Sequence, residues 1–173
     1  MPDTIKELKI ICQKKGYQDW GLLANSLYRP ISWFFVRYLV QTSISANQVT
    51  LISIIIGIIG SLCFLSSNLL SLLCGSILLF FWYVGEYCDG SVARYRNVKE
   101  GKALTKFGRY IDWFNIRITT NTLFLCITMN AFWESNSYIV LFVGLFIIFI
   151  WDVINVLSNL IHFFKSGGGM SVP

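Results

Sequence analysis

The sequence predicts an all-α integral membrane protein, with about four transmembrane helices preceded by an N-terminal interfacial amphipathic helix. Three observations predict it. Mean hydropathy is +0.61, with 55% hydrophobic and only 13% charged residues, a balance that excludes an ordinary soluble domain. Long apolar stretches alternate with short polar turns, the pattern of helices that cross a bilayer. The lysines and arginines are also segregated, concentrated at the N-terminus, in one loop and near the C-terminal end. The formal net charge is +5, but its placement points to membrane flanks. The lipid bilayer is the expected surrounding, and no nucleic-acid partner is expected.

Residues 1–42 form a cytoplasmic or interfacial segment. The spacing of Ile5, Leu8 and Ile11 fits a short amphipathic helix or a frayed tail. Stretch 28–41, Y-R-P-I-S-W-F-F-V-R-Y-L-V-Q, mixes aromatics and two arginines with aliphatics behind Pro30. That is the composition of a helix lying in the headgroup layer, anchored by Trp33 and Tyr38. Residues 43–165 hold the membrane helices. The turn at 43–50 offers Ser45 or Asn47 as a helix cap. The next eighteen residues, 49–66, carry no charge and span about 27 Å as a helix. Gly57 and Gly60 leave room for a close neighbour. A second span starts at Leu69 and runs to about Tyr95, followed by a basic loop over 95–106. A third covers about 107–130, polar in its first half, and a fourth covers 138–164. Residues 166–173, S-G-G-G-M-S-V-P, read as a flexible or engineered tail. Five cysteines without paired or metal-ligand spacing read as small apolar residues, and no signal peptide is visible.

The two turns near 66–69 and 131–137 contain no Lys or Arg. The positive-inside rule therefore places both termini, and the loop at 95–106, in the cytoplasm.

Two stretches at that face carry acids, 84–94 (V-G-E-Y-C-D-G-S-V-A-R) and 107–116 (F-G-R-Y-I-D-W-F-N-I). An acid inside a membrane segment marks a functional site by default. Glu86, Asp89, Gly90 and Ala93 are spaced i, i+3, i+4, i+7 and share one helix face. Gly108 and Asp112 share a face by the same rule. Two acids on one helix and a third on the next can converge on a hard divalent cation, which prefers oxygen ligands. The plainer alternative is acids at a helix end, paired with Arg94 and Arg96, or for Asp112 with Arg109 and Arg117.

The pattern Glu86-x-x-Asp89-Gly90-x-x-Ala93-Arg94, then Gly108-x-x-x-Asp112, resembles the signature of the CDP-alcohol phosphatidyltransferases, D-x-x-D-G-x-x-A-R followed by G-x-x-x-D-x-x-x-D. The lead-in at 43–50 is similar to that family's P-N-x-x-T, with Ala46 in place of proline. The resemblance covers roughly 44–121 and departs from the pattern in three places. Glu86 replaces an aspartate, the spacer from Arg94 to Gly108 is about four residues longer, and Ile116 stands where the final acid belongs. Asn115 lies one residue early, about 100° round the helix.

The resemblance implies that 43–165 is a CDP-alcohol phosphatidyltransferase-like transmembrane domain. Its reaction would move a phosphatidyl or substituted phosphate group from a CDP-linked lipid or alcohol donor to a hydroxyl acceptor, releasing CMP, in phospholipid synthesis. It implies Mg²⁺ or Mn²⁺ on Glu86, Asp89 and Asp112. Gly90, Ala93, Arg94 and Gly108 would line the nucleotide pocket. With no acid at position 116, the general base falls to Asp112, or the chain is a relative that binds metal and CDP-linked ligand without turnover. Members of the family usually have six membrane helices, so two helices lie outside this sequence or a second copy supplies the missing walls, and a homodimer is expected. In the fourth span, Asp152, Asn155, Asn159 and His162 share an arc of about 80°. That stripe either contacts the acceptor, with His162 as a substitute base, or hydrogen-bonds a neighbouring helix.

Overall fold

The computed structural model describes residues 5–12, 24–101 and 106–165. Among these every element is helical and there is no strand. Helix α1 is Ile5–Cys12, α2 Arg29–Leu39, α3 Ala46–Leu62, α4 Leu69–Glu100, α5 Lys106–Ser135 and α6 Tyr138–Lys165. A π-helical turn, Ala24–Tyr28, leads into α2, and a 3-10 turn, Cys63–Leu65, finishes α3. The tail at 166–173 and Lys102 of the basic stretch lie outside the described residues.

Local chemistry sets the helix ends. Pro30 sits in the first turn of α2, where its missing N–H costs nothing. Ser45, one of the two candidates, caps α3. Its hydroxyl accepts from the Gln48 amide at 3.2 Å, and Gln48 Oε1 accepts from the Ser45 amide at 2.7 Å, a reciprocal capping box. Asn68 caps α4, its Oδ1 accepting from the Leu70 amide at 3.0 Å. That helix ends where Gly101 turns left-handed at φ 65°, a conformation open to glycine. The stretch expected as a loop from Tyr95 is therefore helical to Glu100. No glycine or proline interrupts it before Gly101, and Arg96 and Glu100 approach to 4.0 Å at i, i+4, which supports a helix surface.

Among the described residues, three segments are long and apolar enough to cross a membrane: Ala46–Leu65, Leu69–Glu100 and Tyr138–Ser158. Helix α5 has 30 residues, enough for about 45 Å, but Asp112, Asn115, Arg117, Thr119, Thr120 and Asn121 break its apolar run.

Helix α3 packs against α4 and α5, α6 packs on α5, and α1 and α2 lie against α4. The turn before α4 meets the C-terminal end of α5, where Ser67 Oγ donates to Asn130 Oδ1 at 3.0 Å and also bonds Glu134. The residues that close the other flank are Leu8, Cys12, Trp33, Val36, Val49, Val84 and Cys88. Burial pushes the Cys12 thiol up to about 11, against an opposing pull from Arg94, so it packs as a neutral side chain. All five cysteines are free.

Helix α3 meets α4 backbone to backbone. A Cβ added at Gly75 would lie 2.8 Å from the Gly60 carbonyl oxygen, and one at Gly57 would strike Thr119 and Trp82 at 2.6–2.8 Å. No rotamer change relieves the first clash, because the obstacle is main chain. Gly75→Val is expected to lower stability by about 1–3 kcal/mol, the usual cost of overpacking. The midpoint of thermal unfolding in detergent measures it, and an unchanged midpoint would mean that these helices do not approach so closely.

Candidate metal centre

The close packing of α3, α4 and α5 brings the three predicted acids together. One carboxylate oxygen each from Glu86, Asp89 and Asp112 lies within 4.8 Å of the others. Two of the acids come from one face of α4, as the i, i+3 spacing requires, and the third comes from α5. Asp89 is the most enclosed, at 4% exposure, while Asp112 is exposed and stands at the open side of the cluster. Glu86 and Asp112 lie within hydrogen-bond reach of each other. Two ionised carboxylates settle that close only with a proton or a cation between them.

Each α4 acid is oriented by a neutral group from a neighbouring helix. Thr50 of α3, itself 4% exposed, donates its hydroxyl to Asp89 Oδ2 at 2.7 Å, and the Gly90 amide donates to Oδ1. Asn115 of α5, fully buried, donates Nδ2–H to Glu86 Oε1. Asn115 Oδ1 in turn accepts from Trp82 Nε1 at 3.0 Å and from Thr119 Oγ1 at 3.4 Å. Glu86 and Asp112 each keep an oxygen not taken by these neutral donors. The donor set is oxygen throughout, which suits Mg²⁺ or Mn²⁺.

Arg94 supplies positive charge. Its guanidinium folds over Gly90, where an added Cβ would sit 3.5 Å from Nη1. It donates to Ser91 Oγ at 3.5 Å and attracts the carboxylates of Asp89 and Asp112. Gly90, Ala93 and Gly108 are half-buried. The other arginines offered as plain partners are engaged elsewhere. Arg96 donates to the carbonyls of Thr42 and Ile44 at 3.0 and 2.6 Å, tying the turn before α3 to α4. Arg117 pairs with Asp152. The Arg109 side chain lies outside the described residues.

Two residues matter more than their sequence context indicated. Thr50 fell within the lead-in motif but had no role there. Asn115 was set aside as facing the wrong way, yet it is Ile116 that points out, at 45% exposure, while Asn115 turns inward beneath Glu86. The signal was present: an uncapped amide deep in an apolar helix is costly unless it bonds something buried. In the polar stripe of α6, Asp152 accepts from Arg117 Nη1 and from Asn121 Nδ2, the latter at 3.0 Å, so it bonds a neighbouring helix. Asn155 bonds its own Trp151 carbonyl at 2.7 Å. The side chains of Asn159 and His162 lie outside the described residues.

Compared with known proteins, the chain matches no protein-family model and no curated protein.

The Asn115 network is open to a double-mutant cycle. Asn115→Ala strips Glu86 of a donor and Trp82 of its acceptor, so a loss of about 1–3 kcal/mol is expected. Trp82→Phe in that background should then cost less than it does alone. Chemical denaturation in mixed micelles gives both numbers; strictly additive losses would dissolve the network.

Proposed function

We propose that this chain is a membrane transferase of the CDP-alcohol phosphatidyltransferase type. It moves a phosphatidyl or substituted phosphate group from a CDP-linked donor to the hydroxyl of an alcohol and releases CMP. The observation that carries this reading is the convergence of Glu86, Asp89 and Asp112, from two helices, to within 4.8 Å inside the D-G-x-x-A-R and G-x-x-x-D patterns. When all three are ionised, the carboxylates set against the positive charge of Arg94 leave two negative charges. That surplus matches a divalent cation, and it would repel a diphosphate if nothing offset it.

Mg²⁺ or Mn²⁺ held by Glu86, Asp89 and Asp112 would stabilise charge on the diphosphate and on the departing CMP. The remaining work falls to the chain. Arg94 forks onto a phosphate oxygen pair. Gly90 and Gly108, without side chains, let the nucleotide approach both helices. Thr50 and Asn115 hold Asp89 and Glu86 in fixed rotamers, so the acids need no reorganisation when the donor arrives. Asp112, at the open side, takes the proton of the acceptor hydroxyl. In this reading α5 also crosses the membrane, as the third of four spans. Its polar half faces α4 and α6, and the segregated basic residues put both termini and the mouth of the site in the cytoplasm. A homodimer supplies walls that four spans leave open.

A second reading, a relative that binds metal and CDP-linked ligand without turnover, is favoured by Asn115. The inward position beside Asp112 carries an amide, which cannot accept a proton usefully.

Radiolabelled CDP-diacylglycerol, Mn²⁺ and a panel of alcohols separate the two. CMP release is expected, and Asp89→Asn should reduce it by at least about 10²-fold. No release with any alcohol, but thermal stabilisation by CDP that requires Mn²⁺, would establish the binding protein instead. Neither response would remove both readings.

Because Asn115 and not Ile116 faces the cluster and donates to Glu86, Asn115→Asp replaces that donor with a fourth acid and should lower turnover by about tenfold or more. Ile116→Asp should leave it unchanged. Steady-state CMP release from the two folded variants tests this, and the opposite order would overturn the assignment of the inward face.

A further inference from the structure

Helix α3 runs antiparallel to α4, and the contacts between them form a ladder. Gly60 faces Gly75 and Leu78, Gly57 faces Trp82, and Ser53 faces Gly85. Thr50 then bonds Asp89. The last rung is Arg96, whose Nη2 donates to the carbonyls of Thr42 and Ile44 at 3.0 and 2.6 Å. Asp89 and Arg96 are seven residues apart, about 10 Å along α4 and within about 20° of one face. The Arg96 side chain is only 9% exposed, so a charged group has left water to bond main chain at the entrance of one helix. The turn it grips is itself compact. Thr42 Oγ1 donates to the Leu39 carbonyl at 2.8 Å and accepts from the Ile44 amide at 3.3 Å. Ser45 and its capping box follow directly, so a hold on residues 42 and 44 is a hold on the first turn of α3.

We propose that Arg96 is a positioning residue for the metal centre. By pinning the N-terminal end of α3 to α4 it keeps the Thr50 hydroxyl on Asp89, without touching metal or substrate itself. The proposal rests on the metal site of the transferase reading. The glycine contacts all lie on the far side of Thr50 from Arg96. From Thr50 to Gly60 is ten residues, about 15 Å, so a tilt of about 5° about Gly60 moves Thr50 by about 1.3 Å. Added to the 2.7 Å between Thr50 and Asp89, that displacement exceeds hydrogen-bonding distance. Val49 contributes apolar packing at this end, but apolar burial has no direction. Two carbonyls held by one guanidinium nitrogen do have direction. The hydroxyl that Arg96 keeps in place orients a metal-ligating carboxylate, and losing such a bond typically weakens metal binding roughly 10–100-fold.

The test measures Mn²⁺ binding to the whole chain in detergent by electron paramagnetic resonance, with no nucleotide, alcohol or turnover involved. Thr50→Val and Arg96→Met are each expected to weaken binding about tenfold. The double variant should also be about tenfold weaker, and not about a hundredfold, because both changes break the same bond. Arg96→Lys should keep most of the affinity, since both bonds come from one nitrogen and an ammonium carries three donors. Unfolding in EDTA gives a second, metal-free reading of the same cycle. Thr50→Val should lower the midpoint less in the Arg96→Met background than it does alone. If Arg96→Met does not fold, Arg96→Gln takes its place in both measurements. Full affinity in a folded Arg96→Met or Arg96→Gln, losses that multiply, or additive midpoint shifts would each overturn the proposal and leave Arg96 purely structural. An unaltered chain that binds no Mn²⁺ would remove the metal reading, and this proposal with it. One that binds Mn²⁺ while the variants behave independently would remove this proposal alone.

Discussion

Mutual repulsion among three carboxylates is the constraint around which the bundle is arranged. At the 4.8 Å that bounds their oxygens, two unit negative charges repel by about 3 kcal/mol at an effective dielectric of about 20. Helices left to themselves would rotate to separate such groups. Here they are prevented from doing so by contacts that have little freedom. Gly60 and Gly75 put α3 and α4 in backbone contact, Thr50 then reaches Asp89 from α3, and Asn115 reaches Glu86 from α5. The polar groups that orient the acids are neutral, so they fix position without cancelling charge. Acids held in place with their charge unsatisfied form a cluster that could hold a cation.

How much of this was legible follows from which interactions are local. The convergence of Glu86 and Asp89 is set by helix periodicity alone, and the approach of Asp112 by two consecutive helices whose acids lie at the same end. Both could be read from the sequence. The inward turn of Asn115 could not be settled that way, because it depends on how α5 is rotated against α4. That rotation turns Asn115 to Trp82 and Glu86 of α4, which lie 33 and 29 residues away. The helical path of 95–100 differs from the expected loop for another reason. Basic residues do not break a helix, and this one ends at Gly101, with φ 65°.

Helix α6 depends on the rest of the molecule differently. Its contacts run through α5, where Thr128 fills the space beside Gly144 and Arg117 meets Asp152. Arg117 is thereby paired away from the acid cluster, where a second guanidinium would have cut the surplus from two negative charges to one. The polar stripe on α6 thus serves the site indirectly, by holding a competing cation on the far side of α5.

That division of charge sets what each part of the membrane region can receive. At the cluster, three carboxylates and one guanidinium leave a deficit of positive charge that a cation could offset. Between α5 and α6, Arg117 and Asp152 already balance each other, and that pair offers no surplus to an ion. Because Asp112 and Arg117 project about 140° apart, α5 separates the two environments while belonging to both.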